Sequence, residues 1–230
     1  RRTAQEALLA AGAFAAALLL TGAESVSALP PTHTDEGELR VSEVEVLPHA
    51  TDSREVLGSR LFRVISDGSF APVHRVIAEF IGAKYIASLL SEGLSPRRVF
   101  SLIRQGGTVP ASLRGLNAWI PFHARGAASK PAVDADPIGV MIYGDTHELN
   151  AAQVQYLLGS LEELSDTDPH IRAGSWANAV PRGLAREELI DEFRRVLALS
   201  GRPHLTTLVQ DMVVGSNLEV RLRGWLQACA

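Results

Sequence analysis

From Ala7 to Ala23 the chain reads ALLAAGAFAAALLLTGA, without a single charge between Glu6 and Glu24. Nothing else in the 230 residues restricts the fold so tightly. Such a segment has three physical outlets: a bilayer, a secretory leader or a protein interior. It is shorter than the roughly 20 apolar residues that a spanning helix needs, and its dominant alanine is only weakly apolar. A leader would use Arg1 and Arg2 as its basic region, Ala7 to Leu20 as its apolar region and Val26-Ser27-Ala28 as its cleavage site. Alanine and leucine are strong helix formers, however, and a helix apolar on every side is usually buried on every side. The expectation is therefore a packed helix, stopped by Pro30-Pro31 and covered by the chain itself or by partners. A membrane placement of Ala7–Ala23 stays open at this point.

The length allows a sizeable core in one large domain or two small ones. The formal net charge is −4, acids and bases are mixed, and no lysine- or arginine-rich tract occurs. That leaves no sequence support for direct nucleic-acid binding. Cys229 is the single cysteine, so an intrachain disulfide and a multi-cysteine zinc site are both impossible.

Further along, "LRVSEVEVL" (Leu39 to Leu47) and "RLFRVIS" (Arg60 to Ser66) read as strands from their β-branched content. Ser69 and Pro72 then suit a helix start, with Val73, Ile77, Phe80, Ile81, Tyr85 and Leu89 at helical spacing and Gly93 as its end. Ser95-Pro96 opens another helix with Val99, Phe100 and Ile103 on one face, stopped at Gly106-Gly107. "NAWIPFHARG" reads as irregular, and residues 126–137 as a linker between halves 1–125 and 138–230. "IGVMIYG" (Ile138 to Gly144) resembles a buried strand, and Asn150 caps a helix through Leu164. A polar loop, a helix from Leu184 to Leu199, a shorter one from His204 to Val214 and a last strand in "NLEVRLRGWLQ" complete the chain. Helices outnumber strands without regular alternation. The expected class is α+β and helix-rich: amphipathic helices on a small, mostly antiparallel sheet, plus the apolar N-terminal helix.

The chemical motif that stands out is "VMIYGDTHEL". Asp145 and His147, two residues apart at the end of a strand, would project to one side as hard metal ligands. Over these ten residues the chain resembles the calcineurin-like metallophosphoesterases, whose two-metal site opens on such an Asp-x-His. The resemblance implies a metal-dependent hydrolase. The downstream Gly-Asp, Gly-Asn-His/Glu and Gly-His-x-His motifs of that family are missing, which leaves the resemblance local. A second pair, Asp168 and His170, could join Asp145 and His147 at one ion, although Asp168-Pro169 is also a common turn former. Without a metal, Asp145 and Glu148 would answer the exposed N–H groups of a helix start. No G-x-S-x-G elbow, Walker loop or G-x-G-x-x-G occurs, and "SDGSF" lacks the second glycine of an elbow.

Trp119, Trp176 and Trp225 have polar or glycine-flanked surroundings, which suits interface residues and loop anchors equally. Taken together, the failed catalytic motifs, the apolar N-terminal helix and the tryptophans point to a non-enzymatic structural or assembly subunit. A virus shell protein, a segment of one, or a peripheral subunit of a large complex would fit. Its partners would be copies of itself or other subunits, its setting a virion or intracellular assembly, and no cofactor is expected. The alternative is the metal-dependent hydrolase built on Asp145 and His147.

Overall fold

Thr3 starts the first helix with a reciprocal cap: its hydroxyl accepts from the Glu6 N–H, and the Glu6 carboxylate accepts from the Thr3 N–H. In the computed structural model, which describes residues 3–30, 37–124, 126–168, 182–199 and 201–228, this helix α1 runs Ala4–Thr21 and ends at Gly22 in the left-handed region. Every residue from Ala10 to Ala16 is buried. By length and composition α1 could cross a membrane. Here it packs chiefly on helix α4 (Arg75–Ser91), with short helices α2 (Val41–Val44) and α3 (Ser53–Leu57) beside it. Small residues allow the close approach. A Cβ on Gly82 would lie 3.3 Å from the Ala16 nitrogen. The apolar surface that seemed to call for partners is thus answered in part within the chain, where 44% of the helix is buried.

The chain divides into two compact units, Arg1–Asp136 and Pro137–Ala230. The first holds a four-stranded mixed sheet in the order β2-β1-β4-β3, made of β1 (Ser25–Ser27), β2 (Glu38–Arg40), β3 (Phe62–Ser66) and β4 (Ser69–Pro72). β1 and β2 are parallel; the other two pairings are antiparallel. Asp67-Gly68 turns β3 into β4, with Gly68 at φ +75°, so "SDGSF" is a hairpin turn.

Helices α5 (Pro96–Ile103), α6 (Arg114–His123) and α7 (Lys130–Ala135) complete this unit. The second contains α8 (Pro137–Tyr143), α9 (Ala151–Thr167), α10 (Ile190–Leu197), α11 (Pro203–Val213) and α12 (Glu219–Ala228), with no strand among its described residues. The α+β, helix-rich class is as expected.

Several local expectations are overturned. The strand expected over Leu39–Leu47 is only Glu38–Arg40, because Glu43 reaches back to the Arg40 N–H and starts α2. Ser69 and Pro72 belong to β4, and the helix begins after His74. "NAWIPFHARG" is largely α6, which tolerates Pro121 inside it. Residues 126–137 are not irregular throughout, since they carry a 3₁₀ turn (Gly126–Ser129) and α7, although the division between the two units falls within them, after Asp136. The expected buried strand over Ile138–Gly144 is α8, and the expected last strand lies in α12. Short apolar runs such as Ile138–Gly144 do not distinguish a strand from a buried helical turn. Between Leu184 and Leu199 the α-helix itself begins only at Ile190, after a 3₁₀ turn at Glu187–Leu189.

Candidate functional site

The Asp145–His147 motif lies in the turn between α8 and α9, so the strand end that would have aimed two ligands together is missing. Asp145 instead closes the turn, its Oδ1 accepting from the His147 N–H at 3.0 Å, as Asx turns do. The turn already has a cation. The Arg186 guanidinium donates to the carbonyls of Thr146 (2.7 Å), His147 (2.8 Å) and Leu149, and to Gly183 (2.9 Å). Gly183 fits because a Cβ there would lie 2.7 Å from Thr146 Oγ1 and 2.8 Å from the His147 ring. Asp168 caps the C-terminal end of α9, and His170 lies outside the described residues, as do Trp176 and Cys229. Among the described residues, no three histidine, cysteine, aspartate or glutamate side chains gather as a metal site would require. Around Asp145 and His147 the described residues form a polar knot that joins the 146–149 turn to the 183–186 segment.

The first unit offers different features. One is a groove of about 560 Å³ between α1, α4 and α5, walled by Ala17, Leu20, Ile86, Leu89, Val99 and Leu102. Leu102 forms its lip and is 62% exposed. At the groove's end α4 stops in a Schellman motif: Gly93, at φ +101°, donates to the Leu90 carbonyl, and Leu94 to that of Leu89. Glu92, also on the groove, accepts from Ser88 Oγ at 2.8 Å and pairs with His49 Nε2 at 3.0 Å. These bonds hold its carboxyl below the usual range, the His49 bond first. Beside it, Tyr85 is buried, and its hydroxyl has no hydrogen-bond partner among the described residues. Burial, and secondarily the Glu92 charge, push that phenol up to about 12.

A second feature is the free side of β3, an outer strand of the sheet. Val64 is 65% and Ile65 51% exposed. The register shifts between Val64 and Ser66, leaving Ile65 as an extra residue against β4.

A third is an aromatic cluster on α4 and α6. Phe80 meets Trp119 edge-on at 5.1 Å and His123 at 4.5 Å, and Phe122 closes the group. His123 donates through Nε2 to the Phe80 carbonyl at 3.1 Å. Burial, with Lys84 adding to it, pushes the imidazole down to about 4. Trp119 is thus an anchor between helices, where the sequence left interface and anchor equal.

Sequence reasoning passed over the groove, the free strand edge and Arg186. Two of these leave traces in the sequence. Leu102 falls off the Val99, Phe100 and Ile103 face of its helix, and Val64-Ile65 places apolar residues on both faces of one strand. Arg186 leaves none, because its partners are backbone carbonyls, three of them 37 to 40 residues away. No known protein family, curated protein or solved structure matches the chain.

Proposed function

We propose that this chain is a non-enzymatic structural subunit that associates with copies of itself through the outer edge of β3. The supporting observation is the pairing of Val64 and Ile65 exposure with a strand side that has no neighbour in the sheet among the described residues. An open edge carries a row of N–H and C=O groups that another extended chain satisfies, and exposed β-branched residues add apolar area to that contact. An antiparallel copy of the same strand answers the requirement about a twofold axis. The exposed Val64 and Ile65 side chains carry much of the association.

The hydrolase reading has no comparable support, since its strand is a helix and its turn is held by Arg186. Sedimentation velocity over a range of protein concentrations tests the assembly reading. The expected result is reversible self-association that Val64→Lys and Ile65→Lys abolish while the circular dichroism spectrum stays unchanged. A chain that remains monomeric throughout, or lysine variants that associate as before, would defeat it.

A further inference from the structure

We propose that the groove between α1, α4 and α5 binds a small lipophilic cation, an amine with an apolar body and one charged head. The volume of about 560 Å³ lies within the ~300–1,000 Å³ of small-molecule sites. The walls set the body of the ligand: Leu20, Ile86, Leu89 and Val99 offer only hydrocarbon, and the short side chains of Ala16 and Ala17 keep the space open. Leu102, exposed at the lip, loses water contact when the groove fills.

The head is set by charge. Glu92 is the one carboxylate among the lining residues. It stands at the C-terminal end of α4, where the helix dipole adds negative potential. An anionic head would meet both. A neutral one would gain nothing from that potential, and an ammonium is attracted by it. His49 and Ser88 already use part of the Glu92 carboxylate. Two carboxylate oxygens offer about four lone-pair sites, so acceptor capacity remains for an ammonium donor.

The assembly proposal and this one involve different surfaces and stand separately. Isothermal titration of the full chain at pH 8 with octylamine, octanol and octanoate, each below its micellar concentration, reads the preference directly. Octylamine is expected to bind about tenfold or more tightly than octanoate, an effect of the size a partly screened carboxylate produces. Glu92→Gln is expected to remove that preference. Leu102→Arg, a change at an exposed position, is expected to weaken octylamine by a like-charge neighbour. Circular dichroism of both variants establishes that the fold is retained. Absence of octylamine binding, octanoate binding as tight as octylamine, or variants with undiminished amine affinity would each overturn the proposal.

Discussion

Gly12 of α1 and Tyr85 of α4 approach so closely that a methyl group on Gly12 would lie 2.8 Å from Tyr85 Cβ and 2.5 Å from the Ile81 carbonyl oxygen. Both obstacles belong to the neighbouring helix, and one of them is backbone. Neither can swing aside as the tip of a long side chain would. Helix propensity alone would favour alanine over glycine.

The first prediction sets these effects against each other. Gly12→Ala is expected to destabilise the fold by about 1–3 kcal/mol through overpacking. Gly159→Ala in α9, where an added Cβ meets nothing within 4 Å, is expected to stabilise by about 0.5–1 kcal/mol. Urea unfolding of both variants gives the two signs. A stabilised Gly12→Ala variant would show that α1 and α4 do not pack this closely.

The second prediction concerns Arg186. Replacing it with alanine strands carbonyls that the guanidinium now satisfies at Thr146, His147, Leu149 and Gly183. The expected loss is about 2–4 kcal/mol, since unsatisfied partly buried acceptors cost more than a hydrogen bond contributes. Arg186→Lys is expected to recover little of it, because one ammonium cannot reproduce a planar fork. Addition or chelation of divalent metal is expected to leave the unfolding midpoint of the parent chain unchanged. A metal-dependent midpoint would return Asp145 and His147 to the role of ligands.

His123 supplies a pH dependence. Its imidazole, down to about 4 in the folded chain, takes up a proton near 6.5 once unfolded. Between those values the unfolded state binds more protons, and stability falls as the pH is lowered. The contribution is complete above about pH 6.5 and is lost progressively toward pH 4. Urea midpoints at pH 7 and pH 5 are expected to differ, and His123→Gln is expected to narrow the gap. An NMR titration placing His123 near the ordinary histidine value would contradict the buried, neutral ring.

What could be read from the residues follows the range of the forces involved. Asn150 announced its helix because a cap acts over three residues, and the Gln153 side chain completes the box in return. Apolar spacing from Ile77 to Leu89 placed most of α4 for the same reason. Ile138–Gly144 reads as a strand because an apolar run fits a buried strand and a buried helical turn alike, and Val140 and Met141 are buried here in a helix. Asp145-Thr146-His147 misled further, since two ligand-type residues at that spacing look alike whether they hold a metal or a turn. What separates the two cases is Arg186, brought there by the fold.

The burial of α1 also imposes an order of events during synthesis. Its main covering, α4, begins at Arg75, whereas α1 ends at Thr21. At ~5–20 residues per second, the ribosome needs roughly 3–10 s to make the chain between them. For that interval an apolar helix long enough to enter a bilayer has been made and its cover has not. The apolar face that α4 covers in the finished fold has to wait for some fifty further residues before its partner exists.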